Sequence, residues 1–285
     1  MLNKIKSKMR DGHTEPYASY KTSFLNNVIR TTKYKFASRG IPLTENERVI
    51  ASYKNKYAGK RIFIIGNGPS LNKLDLSLLQ GEITIGFNSI FLAESRMGFA
   101  PTHYVVEDIF VAEDRQKEIS SYTGPECKWF GNYLRHCIEP SSNTVWLNVR
   151  MRYDNYPNFP YFSRNALRQV WTGGTVTFIG LQLAYYFGAS EVILIGFDHH
   201  YDIPSDADVR GLAITSNSDD PNHFDPSYFG KGYRWHDPML DRMELGYLKA
   251  KSVFMEDKGV SVMNATAGGK LEVFDRVPFD SLFRR

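Results

Sequence analysis

From residue 60 onward, short apolar runs alternate with longer amphipathic ones, the pattern of a parallel sheet joined by crossover helices. "RIFIIG" (61–66) predicts a first strand, and "SLNKLDLSLL" (70–79) a helix that Ser70 caps. "EITIGFN" (82–88) predicts the second strand, with a helix over about 89–97. "PTHYVVED" (101–108) reads as the third, followed by the charged helix "VAEDRQKEISSY". "CKWFGNY" (127–133) and "NTVWLNV" (143–149) read as two further strands. "TGGTVTFIGLQLAYYFG" (172–188) opens the most hydrophobic helix, with Gly188 as its C-cap. It leads into "SEVILIGFD" (190–198), apolar on both faces as a central parallel strand should be. Residues 199–238 are polar and aperiodic, which predicts a functional lid or a disordered segment. An amphipathic helix over 237–259 and a last strand over 260–266 complete the pattern. The expected class is α/β, a Rossmann-like, mostly parallel sheet flanked by helices, with the lid over the carboxyl ends of the strands.

Composition adds limits. The 285 residues are 42% hydrophobic and 23% charged, ordinary for a globular chain with a substantial core. Net charge is +4, too mild for a nucleic-acid signature, yet residues 1–40 hold nine Lys or Arg against Asp11 and Glu15. The division expected is a basic, helical extension over 1–57 and a catalytic domain over 58–285. The basic arm would stay solvated or lie on an anionic membrane surface, and a homo-oligomer is allowed. Cys127 and Cys137 form no disulfide framework, and with no signal peptide visible a cytoplasmic protein, peripheral at most to the inner face of a membrane, is expected. The most apolar window, 176–189, is too short to span a bilayer.

Ligands of open parallel sheets bind beyond the carboxyl ends of the strands. That rule selects Gly66-Asn67-Gly68, Asn88, Glu107-Asp108 and the run Asp198-His199-His200-Tyr201. Each taken singly reads as turn chemistry; four on one rim read as a site. Gly66 and Gly68 would leave room for a phosphate or ribose, Pro69 sets the entry to the following helix, and its free N–H groups would favour an anion. The third glycine of a dinucleotide fingerprint is replaced by Leu71, and Asn88 stands where a ribose-binding acid would be. The pattern therefore points away from NAD and toward a mononucleotide read by amides. Thr172-Gly173-Gly174, with Arg164 and Arg168 upstream, reads either as a second phosphate-binding helix start or as close packing. The lid "DDPNHFDPSYFGKGYRWHDP" (219–238) concentrates His223, Asp225, Tyr228, Lys231, Tyr233, Arg234, His236 and Asp237. His236, placed directly before a helix, suits a general base.

"IIGNGPSLNKLD", "TIGFNSIF", "TGGTVTFIGLQLAYYFGASEVILIGFD" and "WHDPMLDRMELGYL" resemble the bacterial sialyltransferases of glycosyltransferase family 42. They are similar also to the broader family that includes flagellin-modifying Maf proteins and archaeal pterin diphosphokinases. The likeness covers about 60–270, and the lid and the ending "NATAGGKLEVFDRVPF" are closer to the broader family. The resemblance implies a GT-A-variant fold and inverting transfer of a sialic-acid-type sugar from a CMP-activated donor to a glycan or glycolipid acceptor, with no obligatory cofactor. It implies His236 as base, and Tyr201 with Tyr228 or Tyr233 stabilising the leaving phosphate. It implies nucleotide contacts from Asn67, Asn88, Thr172 and Gly174, with Gly173 in place of the family's serine and Arg168 near the family's arginine but out of register; the strand-end pattern adds Gly66, Gly68, Ser70 and Asp198. Asp108 stands where that family has a third asparagine. Two alternatives stay open: a Mg²⁺-dependent diphosphokinase using Glu107, Asp108 and Asp198, and a non-enzymatic nucleotide- or glycan-binding module.

Overall fold

A computed structural model describes residues 24–151 and 160–283; Lys4, Lys6, Lys8, Arg10 and Lys21 of the basic arm lie outside them. Helices α1 (Phe24–Ser38) and α2 (Glu45–Ser52) precede β1 (Arg61–Ile65) and β2 (Ile83–Phe87). Then come α3 (Glu94–Met97), β3 (His103–Val106), α4 (Ile109–Asp114), α5 (Gln116–Ser121), β4 (Cys127–Gly131) and β5 (Thr144–Leu147). The short β6 (Val149–Arg150) and β7 (Val170–Trp171) pair with each other. After α6 (Val176–Phe187) and β8 (Glu191–Ile195) follow β9 (Asp208–Arg210), β10 (Ala213–Thr215) and β11 (Arg234–His236). The chain closes with α7 (Leu240–Lys258), β12 (Val262–Asn264) and β13 (Asp275–Arg276).

Eight strands form one parallel sheet in the order β13-β12-β8-β1-β2-β3-β4-β5. The side-chain alternation of β1 explains why its apolar run is continuous. Ile62 and Ile64 enter the core under α6 and α7, while Phe63 and Ile65 enter the core on the opposite face. Sequence order runs outward from β1 through β2 to β5, then jumps to β8 on the other side. The switch point therefore falls between the carboxyl ends of β1 and β8, where this class of sheet opens a crevice.

Several elements differ from the expectation. Residues 70–79 form no α-helix but two 3₁₀ turns, Pro69–Lys73 and Leu76–Leu79, separated where Asp75 caps Ser77 N–H. Residues 88–93 are also 3₁₀ before α3 begins. The charged helix breaks at Arg115, whose φ/ψ of −119/27 leaves the helical region. The lid is not structureless: β9, β10 and β11 form an antiparallel three-stranded sheet. His236 ends a strand, and α7 starts at Leu240 after its N-cap Met239, not at 237.

Ala37, Ile50 and Tyr53 of the N-terminal segment pack into the core with α6. Asn46 donates to Trp146 O at 2.9 Å and accepts from Trp146 N–H at 2.7 Å, covering the exposed edge of β5. α2 is set by a capping box between Thr44 and Glu47. No described helix is long and apolar enough to cross a membrane.

Candidate active site

The crevice at the switch point is a cavity of about 380 Å³, a size suited to a nucleotide-like ligand. Its floor shows why the chain breaks β1 with two glycines. A Cβ on Gly66 would stand 2.4 Å from the Gly196 carbonyl oxygen, and one on Gly68 only 1.9 Å from Asp198 Oδ2. The glycines thus let two strand ends of this chain meet, and both also line the cavity. Asp198 Oδ2 accepts from Ser70 N–H at 3.2 Å and from Ser70 Oγ at 2.6 Å. The anion expected at that turn is the protein's own carboxylate. Asp198 and Ser70 accordingly clamp the turn, and Ser70 is buried outside the cavity lining.

Asn67 and Asn88 do face each other's strand ends in the cavity. Asn67 Nδ2 donates to Phe87 O at 3.3 Å, while the Oδ1 atoms of both asparagines are buried without a partner among the described residues. A buried acceptor left unpaired costs about 1–3 kcal/mol, which a ligand N–H would relieve. Asn88 and, across the crevice, His199 hold φ of 49° and 53°. Left-handed backbone at non-glycine residues costs roughly 1–2 kcal/mol and clusters at functional sites.

One wall carries a histidine–carboxylate pair. His236 Nδ1 lies 2.7 Å from Asp108 Oδ2, with side chains 17% and 20% exposed. Asp108 Oδ1 also caps α4, accepting from Phe110 and Val111 N–H. Phe110 in turn stacks on the His236 ring at 4.3 Å. Burial opposes ionisation of Asp108, but the imidazole and the two N–H donors prevail and hold it below the ordinary carboxylate value. Burial likewise opposes charge on His236; Asp108 and then Glu107 outweigh it, against Arg234, and the ring sits above the ordinary histidine value. Glu107 is pushed up to about 7 by burial and by Asp108, with His236 pulling the other way. Glu107 is half-buried and lines the cavity.

The lid is latched over this wall. Arg115 Nη2 donates to Tyr228 O at 2.9 Å and Ser227 O at 2.5 Å, and its guanidinium lies 4.1 Å from the Tyr233 ring. Arg234 pairs with Glu113 at 2.9 Å and with Asp114. Tyr233 is therefore spent on the latch and does not line the cavity, whereas Tyr201 and Tyr228 do. Burial raises both of their hydroxyls, keeping them protonated donors.

The second glycine-rich start is only partly as expected. Gly174 lines the cavity with Thr175, Val176 and Thr177 at the N-terminus of α6. Thr172 is buried against Arg150 O, and Gly173 packs on Phe178, so neither reaches the cavity. Arg168 is on the far side, its guanidinium bonded to the Tyr34 hydroxyl and 4.4 Å from that ring. The arginine at this helix start is Arg242 of α7, which packs across Gly174. Its place in the first turn of a helix that follows His236 was the available signal. Asp108 is committed to His236 and α4, and Asp198 to Ser70, so these residues do not fit a ready cation site with Glu107; no group of three His, Cys, Asp or Glu able to hold a metal occurs among the described residues. Cys127 and Cys137 are free, and burial pushes their thiols up to about 12 and about 11, which leaves them inert.

Compared with known proteins, residues 42–204 match the family model described as 6-hydroxymethylpterin diphosphokinase MptE-like. Among solved structures, a Maf glycosyltransferase from Magnetospirillum magneticum AMB-1 is 18% identical, with a TM-score of 0.47 over 91% of this chain and 43% of that one. The chain thus spans less than half the length of that protein. No curated protein matches.

Proposed function

The chain belongs to the 6-hydroxymethylpterin diphosphokinase MptE-like family, and from that premise we propose that the crevice takes a nucleotide-activated donor and transfers its activated group to a hydroxyl of an acceptor. The observation that carries this reading is the His236–Asp108 pair on the wall of a cavity whose floor bears the unpartnered acceptors of Asn67 and Asn88. Asp108 fixes the ring through Nδ1, so Nε2 is the atom to take the acceptor's proton. The hydroxyl oxygen attacks, and a nucleoside monophosphate departs. Its charge is met by the Tyr201 and Tyr228 hydroxyls and by Arg242 beside the N-terminus of α6, donors already in place before reaction.

Sugar transfer is the preferred form, moving a sialic-acid-type sugar from a CMP donor to a glycan or glycolipid. Arg242 is the one Lys or Arg among the described cavity residues, against the carboxylates Glu107, Asp108, Asp198 and Asp237. That balance suits a donor with a single phosphate. The family name favours a second form, in which diphosphate moves from a nucleoside triphosphate to a pterin alcohol. A triphosphate in so acidic a cleft would need a divalent cation to offset its charge, and Asp108 and Asp198 would hold one only by leaving His236 and Ser70. A thermal-shift screen with CMP, UDP, GDP, ADP and ATP, each with and without Mg²⁺, tests both. A ligand at a hundred times its dissociation constant adds about 2.7 kcal/mol. CMP stabilisation without Mg²⁺ supports sugar transfer, and ATP stabilisation only with Mg²⁺ supports the diphosphokinase. Stabilisation by none refutes nucleotide binding.

A further inference from the structure

Besides His236, three imidazoles line the cavity: His199 and His200 meet Glu244 and Asp202 through Nε2 at 3.5 and 3.4 Å, whereas His223 meets its carboxylate through Nδ1, and the transfer step above does not use it. His223 Nδ1 lies 2.7 Å from Asp220 Oδ2, and the Asp220 side chain is 2% exposed. Asp220 is itself fixed: Oδ1 accepts from Asn222 N–H at 2.8 Å, and Oδ2 also accepts from Phe229 N–H at 3.0 Å. With Nδ1 engaged this way, the ring presents Nε2 as its working nitrogen, and no protein group among the described residues bonds to it. His223 lines the same cavity as His236. Its ring lies flat on Tyr228, centroids 4.0 Å apart and planes within 1°. The Tyr228 hydroxyl reaches Ser89 N–H at 3.5 Å, next to Asn88. The residue after His223, Phe224, donates its N–H to Asn67 O at 2.9 Å.

These contacts sort His223 from His236. His236 is tied to the end of β3, whereas His223 is tied to the turn after β1 and, through Tyr228, to Asn88, the two asparagines read as the nucleotide's partners. We propose that His223 is the group that meets the phosphate of the departing nucleoside monophosphate and supplies its proton. The proposal rests on the transfer reading given above, and it holds for either form, since both expel a nucleoside monophosphate. The acceptor O–H gives its proton to His236, and its oxygen bonds the transferred group. The bond from that group to the phosphate oxygen breaks with its electron pair on oxygen, and that oxygen takes the proton from Nε2 of the His223 imidazolium. His236 ends with one proton more and His223 with one fewer, and exchange with water restores both. An anion at Nε2 favours the charged ring, and besides Asp220 the titratable side chains facing it are Tyr228 and Tyr201, at ring distances of 4.0 and 6.3 Å.

The test is calorimetric binding of CMP and of AMP between pH 6 and 8.5, in buffers of differing ionisation heat. The wild-type chain should take up protons on binding near pH 7.5. His223→Gln should lose most of that uptake and bind about tenfold more weakly at pH 6.5, with the deficit closing by pH 8.5, whereas His236→Gln should retain the uptake. Asp220→Asn keeps the ring and its stack on Tyr228 and should reduce uptake in the same direction; it decides the matter alone if His223→Gln does not fold. Wild-type affinity and wild-type proton uptake in a folded His223→Gln overturn the proposal and leave His223 a support for Tyr228, with the transfer reading intact. Failure of the wild-type chain to bind either nucleotide removes the transfer reading and this proposal together.

Discussion

Replacing Asp108 by Asn isolates the interaction on which the proposed base, His236, depends. In the native chain the imidazole and carboxylate are 2.7 Å apart and both largely shielded from solvent. An opposite charge that close moves a pKa by roughly 1–3 units, or about 1.4–4 kcal/mol between the protonation states. In Asp108→Asn that support is gone; Glu107 still favours the imidazolium, but burial, the largest effect, and Arg234 disfavour it. His236 should then fall from above the ordinary value of about 6.5 to below it. The chain has seven histidines, few enough to follow by NMR of ¹³C-labelled imidazoles, with His236→Gln assigning the signal. A wild-type His236 signal titrating at or below the ordinary value, or one unmoved in Asp108→Asn, refutes the pairing. The stability linkage has opposite signs for the two partners. His236, raised on folding, contributes fully below its unfolded pKa and loses that contribution as pH rises through the folded value. Asp108, lowered on folding, contributes above its unfolded pKa and loses it as pH falls through the folded value. Stabilisation is therefore greatest between the two, whereas a base must be neutral, so transfer should speed up as pH rises through the raised His236 value.

Glu107→Gln should be close to neutral at pH 4 and stabilising by about 1–3 kcal/mol at pH 8, because the native carboxyl, raised to about 7, resists ionising in the fold; urea unfolding at the two pH values checks it. Arg115→Ala should open the lid before the rest of the chain, removing two charge-assisted bonds to Ser227 O and Tyr228 O worth about 1.5–3 kcal/mol each; hydrogen exchange should rise over 216–233 and stay unchanged in β1 and β8. Gly68→Ala should destabilise by about 3 kcal/mol or more, since its Cβ would stand 1.9 Å from Asp198 Oδ2; a folded variant of native melting temperature refutes the close approach of the two strand ends.

The parallel sheet was legible because a strand buried on both faces is built mostly of apolar residues, and 61–65 and 191–195 carry no polar residue between their ends. Asn67, Asn88 and Asp108 were legible as a rim for a related reason: polar residues at the ends of such strands have few places to point except the crevice. Helix lengths were less legible. Residues 70–79 have helical spacing, yet Asp75 caps a new turn inside them, and a short polar cap outweighs periodicity over ten residues. The lid was read as loop because β9–β11 have only three residues each, too few to show alternation.

What the sequence by itself determined is the order of strands and crossovers, and with it the edge of the sheet where polar side chains collect, since burial imposes its period on any chain that folds this way. What only the tertiary structure decided is which polar groups are already taken. Asp198 and Ser70 satisfy each other across 128 positions, Arg168 turns to Tyr34, and Tyr233 stacks under Arg115. Asp108 meets His236 across the same separation of 128 positions, and Arg242 replaces Arg168 at the helix start. Hydrogen bonds and ion pairs act over a few ångströms in space, without regard to distance along the chain, so spacing in sequence carries no record of them.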